Sequence, residues 1–83
     1  MAKKKNKVQI IEKKLGRSGV VGQCWEYGRI EIDERLMGKE RFFTIIHELT
    51  HYCFQDATER QVLKAEKIMG NVLWAENYRR VEQ

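Results

Sequence analysis

Apolar and polar residues alternate in the first part of the chain. Ile30 and Ile32 alternate with Arg29, Glu31 and Asp33, and this period of two is typical of a half-buried strand. Two other short apolar segments precede it, and the glycines between the segments favour turns. The pattern predicts a small antiparallel β-sheet of two or three strands within residues 7–33, with strands drawn from Val8–Lys14, Val20–Tyr27 and Arg29–Asp33.

The spacing of apolar residues becomes helical after Gly38. When residues 39–55 are placed at about 100° per residue, His47, Glu48 and His51 share one side. The apolar residues lie on the nearly opposite side, and they are Phe42, Ile45, Ile46, Leu49, Tyr52 and Cys53. One face of this helix can therefore pack against a core while the other borders a cleft.

A second helix is predicted to begin near Thr58 and to run toward Arg79. Threonine caps helix N-termini well, and an apolar stripe with helical spacing follows, formed by Val62, Ala65, Met69 and Val72. Gly70-Asn71 is a point at which this helix can bend or end. The predicted fold class is α+β, with the small antiparallel sheet followed by two α-helices, of which the first carries both histidines.

Length and composition indicate one small domain. The chain has 83 residues, of which 42% are hydrophobic and 34% charged, with only two cysteines. That number of cysteines excludes a disulfide-dense scaffold, and the longest uncharged stretches, such as residues 18–25, have eight residues and are too short to span a membrane. We predict a single domain over residues 8–83, no membrane contact, and a reducing cytoplasm in which Cys24 and Cys53 are free thiols.

Positive charge is concentrated near the N-terminus. Residues 1–17 contain seven basic residues and one acidic residue, whereas the whole chain has a net charge of +4. We predict that residues 1–7 form a flexible, solubilising segment. The alternative is that they contact the phosphates of nucleic acid or another acidic partner, but no recognised nucleic-acid-binding motif accompanies the charge.

The segment His47-Glu48-Leu49-Thr50-His51 contains both histidines of the chain. Residues four apart lie on the same face of a helix, so two imidazole nitrogens can bind one metal ion. Neutral imidazole suits zinc, and Glu48 lies where it can take a proton from zinc-bound water and return it to a leaving amine. The pattern predicts Zn²⁺ as cofactor, His47 and His51 as ligands and Glu48 as the catalytic base. Two surface histidines, or a zinc site that only stabilises the fold, are the structural alternatives.

This segment resembles the HExxH helix of zincin metallopeptidases. The wider pattern of Gly28–Asp33, Ile45–Tyr52 and Thr58-Glu59 is similar to very small phage and bacterial zincins, which include minimal gluzincins and the ImmA/IrrE-like and SprT-like domains. The resemblance implies a short antiparallel sheet before the motif helix, with an edge strand lining the substrate cleft. It assigns that strand to Arg29–Asp33, and Arg29, Ile30, Glu31 and Ile32 become candidate substrate-binding residues to which an extended peptide pairs.

The identity of a third metal ligand decides the zincin subtype. The metzincin subtype is excluded, because Phe54 and Ala57 occupy the positions of its glycine and its third histidine. Cys53 falls on the apolar face of the helix and is therefore discounted. A carboxylate is left as the third protein ligand.

Three downstream carboxylates, those of Glu59, Asp56 and Glu66, are candidates for this role. Glu59 is preferred, because a carboxylate at the start of the second helix gains from the helix dipole. Small apolar residues follow it at three-residue steps, which resembles the ligand helix of ImmA/IrrE-type proteins. A capping box over residues 56–59 is the structural alternative for Asp56 and Glu59.

The function predicted from these features is zinc-dependent hydrolysis of peptide bonds in a protein or peptide substrate. The oxyanion stabiliser stays open between Tyr27 and Tyr78, since Tyr52 falls on the apolar face. One alternative is a zinc-stabilised, non-catalytic binding module that contacts nucleic acid through Lys3–Lys7. Another is a catalytic domain whose specificity comes from an accessory protein partner, since so short a chain has little room for substrate subsites.

Overall fold

The computed structural model of the chain describes residues 7–16 and 20–81. Three strands come first, β1 (Gln9–Lys13), β2 (Gly22–Cys24) and β3 (Arg29–Asp33), and two helices follow, α1 (Gly38–Cys53) and α2 (Glu59–Ala75). The α+β fold class, with the sheet preceding two helices, is therefore confirmed. The flexible segment predicted over residues 1–7 lies, except for Lys7, outside the described residues.

The sheet is mixed rather than wholly antiparallel. Its strand order is β1-β3-β2, and β3 runs parallel to β1 and antiparallel to β2. The antiparallel prediction is right for β2 and β3, which a tight turn joins: the Gly28 N–H donates to the Trp25 carbonyl at 3.0 Å, and Gly28 has a φ of 103° that favours glycine. The prediction is wrong for β1, because β3 inserts between β1 and β2 and separates the two strands that are adjacent in sequence.

The core is formed by β3, α1 and α2, with α1 packed against both of the others. Ile30 and Ile32 of β3 and Val62 of α2 have no exposed surface. Because side chains alternate along a strand, Ile30 and Ile32 share the face of the sheet that packs against the helices. The alternation that predicted β3 therefore also identified its core face.

The other face of β3 carries two carboxylates that are also buried. Glu31 and Asp33 are 4% and 3% exposed, although the alternation predicted them on a solvent-facing side. Arg29 Nη2 lies 2.7 Å from Glu31 Oε2, and Arg35 Nη2 lies 2.7 Å from Asp33 Oδ2. These cations cover the carboxylates and offset the unfavourable burial of their charge.

α2 begins at the position that its capping residue specifies. Thr58 is the N-cap: its Oγ1 accepts from the Gln61 N–H at 3.1 Å, and Gln61 Oε1 accepts from the Thr58 N–H at 2.9 Å. The alternative of a capping box over residues 56–59 is therefore wrong, because the box is formed two residues further along the chain, by Thr58 and Gln61. α2 ends at Ala75 rather than near Arg79. Over the described residues, neither helix combines the length and the apolar character needed to cross a bilayer.

The two helices pack side by side in opposite directions. Phe43 of α1 faces Gly70 of α2, and Phe42 packs on Trp74 with ring centroids 5.3 Å apart. Gly70 neither bends nor ends α2. It is buried, and a Cβ at this position would lie 2.7 Å from the Phe43 ring carbons Cδ2 and Cζ. Glycine is therefore required here for the close approach of α1.

Gly70→Ala is expected to destabilise the fold. Alanine normally favours a helix over glycine by about 1 kcal/mol, but overpacking against the Phe43 ring costs about 1–3 kcal/mol. The free energy of unfolding from urea titration measures the net effect. Asn71→Ala, at the next and exposed position of α2, is the matched control and should not lower stability. Equal stability of the two variants would contradict close packing at Gly70.

Asp33 is expected to make stability depend on pH in the acidic range. Hydrogen bonds from the Arg35 side chain and backbone N–H hold the pKa of the Asp33 carboxyl well below its usual range. The unfolded chain therefore takes up this proton more readily, so the stabilisation is complete above the unfolded-state pKa of about 3.9 and is lost as pH falls below it. Between about pH 5 and 2, the melting temperature of the parent should fall more steeply than that of Asp33→Asn.

Asp56→Asn, in the exposed loop between the helices, is the control for this measurement. Its melting temperature should equal that of the parent over the whole acidic range, because the Asp56 side chain is exposed. Effects of acid that all three proteins share cancel in the comparison. Parallel curves for Asp33→Asn and the parent would show that the Arg35 contact does not contribute to stability.

Candidate metal centre and catalytic cleft

α1 holds both histidines on one side of the domain. His47 and His51 are separated by one helical turn, and their ring centroids are 4.9 Å apart. The histidine side of α1 faces the start of α2, where both rings contact Glu59. Both rings are partly shielded, with side chains 17% and 31% exposed.

Glu59, the first residue of α2, reaches both histidines. Its Oε2 lies 3.1 Å from His47 Nε2, and its Oε1 lies 2.9 Å from His51 Nε2. The three side chains each offer one ligand atom, and these atoms all lie within 4.8 Å of one another. The structure thus brings together the three residues that the sequence analysis preferred as ligands.

This arrangement fits a metal ion in both donor type and spacing. Two imidazole nitrogens and a carboxylate oxygen are the protein ligands of many catalytic zinc sites, which keep the fourth position open. Ligand atoms bound tetrahedrally at about 2.0–2.1 Å lie roughly 3.3 Å from one another. The separations between Glu59 and the two rings are close to this value.

The other candidates for a third ligand are placed differently. Asp56 lies in the exposed loop after α1 and lines a separate hollow beside Cys53. Neither Asp56 nor Cys53 belongs to the group of possible ligands that Glu59 forms with the two histidines. Glu66 is close to His47, but its Oε1 contacts Nδ1, at 2.7 Å, on the opposite side of the ring from Glu59.

Glu48 lies beside this group and is more buried than its neighbours. It is 8% exposed, and burial raises the pKa of the Glu48 carboxyl because desolvation disfavours the charged form. Gly22 of β2 makes room for it: a Cβ there would lie 2.9 Å from Glu48 Oε2 and 2.8 Å from Thr44 Cγ2. The absence of a side chain at Gly22 therefore lets β2 run directly along α1.

The edge strand beside α1 is not the one that the resemblance implied. β3 is the central strand and is hydrogen-bonded on both sides, so a peptide cannot pair with it. Ile30 and Ile32 are completely buried, and Arg29 is paired with Glu31. The assignment of Arg29, Ile30, Glu31 and Ile32 as substrate-binding residues is therefore wrong.

The edge strand beside the site is β2, which among the described residues pairs only with β3. Gly22–Cys24 lies within the predicted strand Val20–Tyr27, for which the sequence suggested no role at the site. Gly22 could have indicated that role, since a glycine within a strand often marks the close approach of another group.

A polar cleft of about 280 Å³ borders His51 and Glu48. Its lining is shared by the end of β2, the following turn and the last turns of α1, and consists of Cys24, Glu26, Glu48, His51, Tyr52 and Gln55. Tyr52, which the sequence placed on the apolar face of the helix, is half-buried and lines this cleft. Of the two tyrosines left open as oxyanion stabiliser, Tyr78 lines a different groove together with Trp74. Tyr27 is exposed at the turn between β2 and β3.

Comparison with family models identifies the domain. The model of the IrrE N-terminal-like domain, Peptidase_M78, matches residues 3–72. The chain belongs to this family. The match includes the whole sheet, α1 and most of α2, and it confirms the resemblance to ImmA/IrrE-like zincins. Searches of curated proteins and of solved structures find no match. This IrrE N-terminal-like domain thus belongs to a peptidase family. Its own residues His47, His51 and Glu59 form a group that could hold a metal ion.

Glu59→Ala is expected to remove metal binding, because it deletes one of three converging ligand atoms. The loss in affinity should exceed the roughly 10–100-fold effect of removing an outer-shell partner. Metal content after dialysis against a divalent cation, measured by elemental analysis, reports the change. Asp56→Ala is the matched control and should retain one ion per chain. If Glu59→Ala retained the metal ion and Asp56→Ala lost it, the third ligand would be Asp56 and not Glu59.

Proposed function

We propose that this domain is a zinc-dependent metallopeptidase that hydrolyses peptide bonds. The observation that carries the proposal is the convergence of His47, His51 and Glu59 beside the buried Glu48. Membership of a peptidase family supports the same reading. Zinc is the proposed ion because a set of two imidazoles and one carboxylate suits it and leaves a coordination position for water or substrate.

Zinc, when bound, supplies a Lewis acid that acidifies water and polarises a carbonyl group. Glu48 is the proposed general base: its carboxylate accepts a proton from the attacking water as the water oxygen bonds to the carbonyl carbon. The carbon–nitrogen bond then breaks, and Glu48 delivers the proton to the leaving nitrogen.

An extended peptide substrate is proposed to pair with the edge of β2. This strand passes Glu48 at Gly22 and ends at Cys24 in the polar cleft next to His51. Pairing with a strand edge binds a peptide mainly through its backbone, and the cleft is left to select side chains. A protein or peptide substrate is therefore proposed, while its sequence and any accessory protein partner are left to experiment. A reducing cytoplasm is the proposed compartment, in keeping with the free thiols of Cys24 and Cys53.

Glu48→Gln is expected to retain zinc and to lose hydrolysis. Glutamine keeps the size of the side chain but cannot take up the proton, and general acid–base groups contribute about 10²–10⁴-fold to rate. Cleavage of a mixed peptide library by the zinc-loaded proteins, followed by mass spectrometry, measures the effect. Glu40→Gln, the same substitution at an exposed position of α1, should cleave at the parent rate.

Two outcomes would contradict the proposal. Equal cleavage by Glu48→Gln and the parent would remove Glu48 from the mechanism. A zinc-loaded parent that cleaves no peptide would favour the alternative of a zinc-stabilised binding module. That alternative depends on Lys3–Lys7, most of which lies outside the described residues. It further requires that affinity for a polyanion fall steeply with salt and disappear when residues 1–7 are removed.

A further inference from the structure

Glu66 makes the closest polar contact of the candidate metal centre outside its three ligands. It lies two turns after Glu59 on the same face of α2, and its Oε1 is 2.7 Å from His47 Nδ1. Its side chain is only 23% exposed. The contact therefore lies largely out of water, where a hydrogen bond to a carboxylate is strong.

The direction of this hydrogen bond follows from the chemistry of the two groups. An ionised carboxylate can only accept, so Nδ1 of His47 carries the hydrogen and donates. A neutral imidazole has one hydrogen, and its Nε2 then presents a lone pair. That lone pair points toward Glu59, whose Oε2 is 3.1 Å away. The ring is thus held in the tautomer and orientation that a metal ligand needs.

The packing of the helices holds Glu66 in this position. Gly70, one turn further along α2, contacts Phe43, which lies one turn before His47 on α1. The pairs Phe43–Gly70 and His47–Glu66 are therefore successive contacts of the same helix–helix interface. His51 differs from His47 in this respect: among residues 7–16 and 20–81, its ring has a polar contact with Glu59 through Nε2 and none through Nδ1.

We propose that Glu66 is a positioning residue of the metal centre, which orients His47 and raises the affinity of the site for zinc. Hydrogen-bonded carboxylates behind ligating histidines orient the ring and increase its basicity, and their loss typically costs about 10–100-fold in affinity. The inference rests on the proposed zinc site. It adds a residue that does not touch the ion and acts through His47.

The test is zinc affinity, measured by competition with a chelator of known affinity. Glu66→Ala should bind zinc about 10–100-fold more weakly than the parent. Glu66→Gln keeps an oxygen that can accept from Nδ1 and should recover part of this loss. Glu76→Gln, exposed just after the end of α2, should bind zinc as the parent does.

A second readout separates positioning from a general loss of stability. Long-range ¹H–¹⁵N NMR spectra of the histidine rings report the tautomer of His47, which should be Nδ1–H in the parent and in Glu66→Gln and should become mixed in metal-free Glu66→Ala. Asp33→Asn serves as a destabilised control that leaves Glu66 in place, because its contact with Arg35 lies on the face of β3 that points away from the helices. It should keep the His47 tautomer and lose less zinc affinity than Glu66→Ala.

The outcomes distinguish this inference from the function on which it rests. If the parent takes up no zinc, the proposed metal site itself is overturned. If the parent binds zinc and Glu66→Ala binds it within about twofold with an unchanged His47 tautomer, only the role of Glu66 is overturned. An equal loss of affinity in Asp33→Asn and Glu66→Ala would assign the effect to stability and would also overturn it.

Discussion

The contact between Phe43 and Gly70 determines how the two helices of this domain meet. Because one residue has no side chain, α2 can approach the Phe43 ring closely. Four residues further along α1 and four residues back along α2, the next contact is that of His47 with Glu66. A shift of one residue in either helix would rotate its side chains by about 100°, and the carboxylates would no longer face the imidazoles.

This interface also connects stability to the candidate site. Among the described residues, only Ile30, Ile32 and Val62 are apolar and completely buried, which is a small core even for a short chain. The ligand atoms come from both helices, so an ion bound between them would tie α1 to α2. Metal binding and folding are expected to be coupled for this reason. The same ion would balance the negative charge that Glu48 and Glu59 bring to one place.

The sheet contributes in a different way. Insertion of β3 between β1 and β2 gives the most buried strand a neighbour on each side and places it against α1. The short strand β2 is then left at the edge, beside Glu48, with glycine at the point of closest approach. The polar face of β3 is sealed by Arg29 and Arg35. The one sheet therefore supplies the core on its central strand and a peptide-sized edge at the cleft.

The sequence by itself determined the local features: strand and helix periods, the cap at Thr58, and the placement of His47, Glu48 and His51 on one face of a helix. These depend on residues within a few positions of one another. Tertiary structure alone decided that β1 pairs in parallel with β3, that β2 is the edge strand, and that Glu66 contacts the far side of His47. Such features depend on which distant segments pack together. That choice is made by the fit of whole faces, such as Gly70 against Phe43, and no local pattern of residues encodes it.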